Sequence, residues 1–254
     1  MIFIHKLLIG MHAIACVQFA FSVYYDYTYI VIPRRVAKMH SAYGGKFKFL
    51  TFWNAILQAV FFFVCLANDF GGSNELSPTK RPFLRRFKDF FHASLAFPVA
   101  MFVGVTFWAL MAVDRELVLP RAVDPYFPWW LNHLMHTMIV VSTIAEMFTA
   151  PRQYPSRLAG LGGLLVFMAI YLIWVLIIYT KGGIWVYPVM EVLSWPLRIC
   201  FFLVLFLFAA ALYIFGEYFD RLIWGNAQIE HSKSYCYVHF LTYKGTRPCC
   251  LEAC

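Results

Sequence analysis

Two stretches carry polar residues at spacings that could support nucleophilic chemistry. Thr51, Asn54 and Gln58 are spaced i, i+3, i+7, which puts them on one face of a helix. Asn132, His136 and Thr143, spaced i, i+4, i+11, form a second stripe, with His133 and Thr137 close by. A threonine hydroxyl is a poor nucleophile until a base takes its proton, and histidine is the usual base because its pKa lies near neutral pH. A Thr51–His136 pair could attack an ester, form an acyl-threonine and release it to water. Such chemistry needs an oxyanion hole. The amides near Gly44-Gly45 and the Asn54 side chain are candidates. It also needs a group that orients the imidazole, for which Asn132, one turn back, and Glu191 are candidates. The same residues have a structural use. A threonine in a membrane helix bonds its own i−4 carbonyl, and a membrane histidine makes an interhelical hydrogen bond of about 1 kcal/mol.

A metal centre and other cofactors are not expected. His133 and His136 could both touch a metal, but no carboxylate lies within a turn of them and no HExxH is present. His12 and His92 belong to the opposite end of the bundle, and Glu146 lies about 15 Å further along the helix. Seven cysteines occur, with no CxxC pair or zinc spacing.

These residues must be positioned by membrane helices. Of 254 residues, 62% are hydrophobic and only 13% charged, against about 25% charged in a soluble domain. The net charge of +8 falls between apolar runs, so lipid headgroups and topology account for it rather than nucleic acid, for which no motif is present. Six stretches reach the roughly 17–25 residues that span a bilayer: Leu7–Tyr25, Leu50–Ala67, Phe90–Val113, Phe127–Ala145, Leu158–Thr180 and Ile199–Gly216. None contains Asp, Glu, Lys or Arg. The expected fold is therefore all-α, a polytopic membrane bundle of six transmembrane helices over residues 1–225, with a poorly ordered cytosolic tail at 226–254. Pro98 predicts a kink in the third span, Ala159 and Gly163 a close helix contact in the fifth, and Tyr43-Gly44-Gly45 a turn before the second. The first span is read as a retained helix, because its apolar run outlasts a signal-peptide core. Lys and Arg favour the side of the termini by twelve to nine, which predicts both termini in the cytosol. The compartment expected is the plasma membrane or the endoplasmic reticulum. Cys249-Cys250 could be S-acylated there.

Topology also brings the two stripes to one side. The second and fourth spans both begin after odd-numbered loops, so Thr51 and His136 enter from the same leaflet. His136 lies roughly 13 Å into its run while Thr51 sits at the edge, so tilt or an early helix start is needed to level them.

Several motifs resemble one family. Tyr43-Gly44-Gly45-Lys46-Phe47-Lys48-Phe49-Leu50-Thr51-Phe52, Leu95-Ala96-Phe97-Pro98-Val99, Asp114-Arg115-Glu116, Trp130-Leu131-Asn132-His133-Leu134-Met135-His136-Thr137, Gln153-Tyr154-Pro155-Ser156-Arg157 and Trp185-Val186-Tyr187-Pro188 are similar to the androgen-induced gene / androgen-dependent TFPI-regulating protein family. The resemblance implies a multi-pass membrane hydrolase of fatty acid esters of hydroxy fatty acids, with Thr51 as nucleophile, His136 as base and no cofactor. The partners it implies are a lipid substrate and the membrane itself. The alternative is a non-enzymatic multi-pass protein, a small transporter or a regulator acting through partners. No internal repeat of the kind transporters often show is found between residues 1–120 and 121–254.

Overall fold

The structure is a computed structural model. It describes residues 2–37, 43–75 and 80–242, with the backbone alone at Ile2, Ile4 and 226–242. Its helices are α1 (Ile2–Tyr29), α2 (Leu50–Gly71), α3 (Phe83–Val113), α4 (Trp129–His133, Leu134–Met138 and Ile139–Met147 without a break), α5 (Arg157–Gly182), the short α6 (Pro188–Val192) and α7 (Trp195–Thr242). Among the described residues there is no strand, so the all-α membrane bundle is what forms. Among the described residues, five helices, α1, α2, α3, α5 and α7, are long and apolar enough to cross a membrane. The sequence led to six spans; the fourth expected one, Phe127–Ala145, falls on α4, which is not among the five, because its polar stripe and Glu146 make it less apolar than the rest. Of the expected tail, 226–254, the described part continues α7 as helix to Thr242, and Cys249-Cys250 lie outside the described residues.

The central helix is α3, which touches α2, α4, α5 and α7, while α1 packs along α2 and reaches the middle of α4. The core is aromatic and aliphatic, with Phe19, Phe61, Phe62, Val99, Ile139, Leu164 and Tyr213 all buried. Phe63, Val166, Ile173, Leu203 and Leu207 face outward and exposed. Apolar residues on the outer faces of a bundle are matched to lipid.

Local chemistry sets the helix ends. The Ser156 hydroxyl caps α5 by accepting from the Ala159 amide at 3.4 Å, and Gly183, at φ +68°, stops it. Gly44 at φ +93° and Gly45 at φ +54° form the turn before α2. In α3 a wider π-helical turn, His92–Ala96, precedes Pro98. Proline has no N–H to close the turn beneath it, and the Gln58 amide donates to the Ala96 carbonyl at 2.9 Å. The close contact expected at Ala159 and Gly163 lies elsewhere. Ala159 is exposed, and a Cβ on Gly163 would meet nothing nearer than Phe90 at 3.8 Å. It is Gly160, one position on from Ala159, that presses against the Tyr213 hydroxyl.

At the end of the bundle away from Thr51 the helices continue past their apolar runs and bury charge. His12 bonds Asp69 at 2.6 Å and Glu146 at 2.8 Å. Lys88 and Arg152 reach the other Glu146 oxygen at 3.3 and 3.0 Å. Arg85 pairs with Asp89 at 3.0 Å and donates to the Pro151 carbonyl. A buried charge costs several kcal/mol unless paired, so the helix ends converge. Burial alone would lower the pKa of Arg152, but the neighbouring Glu146 and Asp220 carboxylates raise it. Ligand atoms of His12, Cys65 and Glu146 lie within 4.8 Å of one another. Two cations already neutralise Glu146, and both His12 nitrogens are engaged, so this cluster is read as an ion-pair network rather than a metal centre.

Candidate functional site

Thr51 sits in the first turn of α2, after the N-cap Phe49. The i−4 carbonyl that would satisfy a mid-helix threonine belongs here to Phe47, outside the helix. That carbonyl instead accepts from the indoles of Trp53, at 2.6 Å, and Trp174, at 2.9 Å. Thr143 takes the structural role, bonding the Ile139 carbonyl at 2.6 Å. First-turn N–H groups lack intrahelical partners and carry the positive end of the helix dipole. Among them, the Leu50 amide donates to the Tyr171 and Tyr187 hydroxyls, each at 3.0 Å.

The depth mismatch between Thr51 and His136 is resolved by the loop before α2. Its helical turn Gly45–Lys48 is folded into the bundle, where the Lys48 carbonyl accepts from Tyr171 at 2.9 Å. Tyr171 lies about three turns before α5 ends at Gly182, roughly 16 Å along the axis. Thus α2 starts inside the bundle, not at its rim. Burial, with Lys46 nearby, lowers the Lys48 pKa to about 8.

His136 lies in a π-helical turn of α4, Leu134–Met138; such turns are frequent at functional sites. Its Nδ1 is 3.0 Å from the Asn132 carbonyl. A carbonyl only accepts, so Nδ1 carries the proton and Nε2 presents a lone pair. That lone pair lies 3.1 Å from Thr51 Oγ1, so the hydroxyl donates to it. Phe107 stacks on the ring at 3.6 Å between centroids and 14°. Gly104, one turn earlier on α3, lets the two helices meet. A Cβ there would collide with Val140 and come within 2.8 Å of the His136 carbonyl.

The other candidates from the sequence are placed differently. Asn132 orients His136 through its carbonyl; its buried side-chain amide has no partner among the described residues. Asn54 accepts from Gln58 at 3.0 Å, and neither Asn54 nor Gly44-Gly45 lines the cavities around Thr51. Glu191 is exposed and accepts from the Trp185 amide at 3.1 Å, so it is not brought to His136. His133 bonds Thr137 at 3.0 Å and stacks on Trp108.

Two cavities meet at Thr51. One, of about 110 Å³, runs between α3, α5 and α7, lined by Phe102, Val103, Met168, Val175 and Phe206. The other, of about 90 Å³, is lined by His136, Met135, Phe49, Ile32, Asp26 and Lys46. Thr51, Phe107, Val118 and Tyr187 line both. Lys46 pairs with Asp26 at 2.9 Å. Phe107, Gly104 and Tyr171 were not singled out from the sequence, and Tyr187 stood there only within the Trp185–Pro188 motif, with no role assigned. Aromatic and small residues are common in membrane helices, and their spacing gives no polar signal.

The profile of FAR-17a/AIG1-like proteins matches residues 7–221, most of the chain. The chain belongs to the FAR-17a/AIG1-like family. Among its relatives, the human androgen-induced gene 1 protein is 36% identical over 222 residues, covering 84% of this chain and 93% of that protein. The rat androgen-dependent TFPI-regulating protein is 41% identical over 183 residues, covering 72% and 79%. A membrane protein of Schizosaccharomyces pombe is 25% identical over 177 residues, covering 68% and 74%. No solved structure matches. FAR-17a/AIG1-like membership covers every helix that contributes to the site, since the match runs from within α1 to Arg221 of α7.

Proposed function

We propose that this FAR-17a/AIG1-like protein is an integral-membrane ester hydrolase that cleaves fatty acid esters of hydroxy fatty acids, with Thr51 as nucleophile and His136 as base. The observation that carries the reading is the 3.1 Å contact from Thr51 Oγ1 to the unprotonated nitrogen of His136, with Thr51 lining two cavities. A hydrogen bond to a fixed tautomer is the arrangement that general-base activation requires.

In the proposed reaction, His136 Nε2 takes the Thr51 proton as Oγ1 bonds to the ester carbonyl carbon. The carbonyl electron pair moves to oxygen, at the positive end of α2. Collapse breaks the bond to the alcohol oxygen, which leaves with the proton from His136. Water, deprotonated by the same nitrogen, then attacks the acyl-threonine; the second collapse frees the carboxylic acid and returns the proton to Thr51. The cavity between α3, α5 and α7 suits the transferred acyl chain, being lined mainly by apolar side chains. The hydroxy acid, which keeps its own carboxylate, suits the second cavity, where Lys46 lies.

The test is covalent labelling with a fluorophosphonate alongside turnover of a fatty acyl hydroxy-fatty-acid ester. Thr51→Ala and His136→Ala should lose both while remaining folded, and His133→Ala should keep some activity. Normal turnover by Thr51→Ala would remove the nucleophile; an active His136→Ala with an inactive His133→Ala would mean that the other histidine is the base.

A further inference from the structure

Resting on the hydrolase reading, we infer that the Tyr187 hydroxyl is an oxyanion donor in the Thr51 site. The argument is a proton count. Tyr171, Tyr187 and the Leu50 amide form a closed cluster, with Tyr171 Oη to Tyr187 Oη at 2.9 Å and the amide 3.0 Å from both oxygens. The amide proton is shared between the two phenols, and the Tyr171 proton is held by the Lys48 carbonyl at 2.9 Å. The Tyr187 proton is left, and within the cluster only the Tyr171 oxygen can accept it. Rotation about one C–O bond re-aims it at the cost of a single hydrogen bond. The Leu50 amide still holds the Tyr187 oxygen when this happens.

The position of the oxygen makes that rotation useful. It is anchored to the amide of the residue next to the nucleophile, and Tyr187 lines both cavities that Thr51 lines. A carbonyl held against Thr51 Oγ1 can turn its oxygen toward the Tyr187 side of that lining. Tyr171 has its proton committed elsewhere and serves to hold Tyr187 and the start of α2. Burial pushes the Tyr187 phenol above its ordinary pKa, so it remains a donor at neutral pH. The ring is fixed by the loop around α6 and an edge contact with Phe49 at 6.3 Å, so the donor is positioned before substrate arrives, as oxyanion stabilisation requires.

The test uses the full-length protein in lipid nanodiscs. Tyr187→Phe should lower kcat on the order of 10²-fold, the scale of losing one oxyanion donor, with KM changed by less than about threefold. Because Phe also removes the acceptor for Leu50, a second variant carries 3-fluorotyrosine at position 187, which keeps the hydroxyl and makes it more acidic. It should raise kcat at neutral pH and move the alkaline loss of activity to lower pH. A Tyr187→Phe protein with wild-type kcat, or a fluorinated one whose kcat and pH profile match wild type, would overturn the assignment. Thr51→Ala separates the two readings. If it is inactive while Tyr187→Phe is normal, only the oxyanion role fails; if it turns over normally, the assignment of Thr51 as nucleophile, on which the inference rests, has failed first.

Discussion

On the proposed hydrolase reading, replacing Gly104 with alanine should disrupt the Thr51–His136 pair without touching either residue. A Cβ at 104 would lie 2.8 Å from the His136 carbonyl oxygen and collide with Val140. Val140 can turn its side chain away, but the carbonyl is backbone of α4. Ordinary contact requires about 3.4 Å, so α3 and α4 must separate by roughly 0.6 Å at this crossing. Phe107, one turn along α3, moves with it, and its 3.6 Å stack on His136 loosens. The Thr51–His136 hydrogen bond starts at 3.1 Å, near the upper end of the useful range. A shift of half an ångström takes it out of that range. Misplacements of about 1 Å can cost 10²-fold in rate, so Gly104→Ala should lose about 10-fold to 10²-fold in kcat and about 1–3 kcal/mol in stability from overpacking. Gly162→Ala is the control, since nothing lies within 4 Å of a Cβ there and alanine favours a helix by roughly 0.5–1 kcal/mol. Both variants would be purified in the same detergent and compared for melting temperature, fluorophosphonate labelling rate and ester turnover. Wild-type turnover and labelling by Gly104→Ala would refute the idea that this helix crossing sets the position of His136.

Two further outcomes follow from other parts of the site. Lys46→Met combined with Asp26→Asn, which leaves neither partner buried and unpaired, should raise KM several-fold for an ester bearing a free carboxylate and leave KM for its methyl ester unchanged; equal effects on both would remove Lys46 from substrate recognition. Lys48, whose pKa is lowered by burial to about 8 from an ordinary 10.5, binds its proton less readily in the folded chain than in the unfolded one. Its penalty is full below pH 8 and is relieved as pH rises toward 10.5, so thermal stability should gain a rising component across that window, and Lys48→Met should lack it.

Composition and run length sufficed for the membrane class and the all-helical fold, because a bilayer sets span length and apolarity residue by residue. The same logic made Asn54, Gln58, Asn132 and His136 stand out and turned them inward, where all four are buried. Loop parity placed Thr51 and His136 on one side. Sequence spacing could not give the depth of α2, which depends on the Gly45–Lys48 turn being drawn into the bundle by Tyr171 and Trp174 from a helix more than a hundred residues away. Nor could it choose among the groups that might hold the imidazole. The Asn132 carbonyl does so, and every residue has a carbonyl; only the π-helical turn aims this one. The buried ion pairs were hidden for a related reason. His12, Asp69, Lys88, Glu146 and Arg152 each look like an ordinary residue in or near the end of a span, and their pairing is a property of five chain segments meeting. The sequence by itself therefore determined which side chains must leave lipid. Which of them meet, and whether a hydroxyl faces a lone pair or a proton, was decided by helix crossings set at single small residues such as Gly104, and those exist only in the assembled bundle.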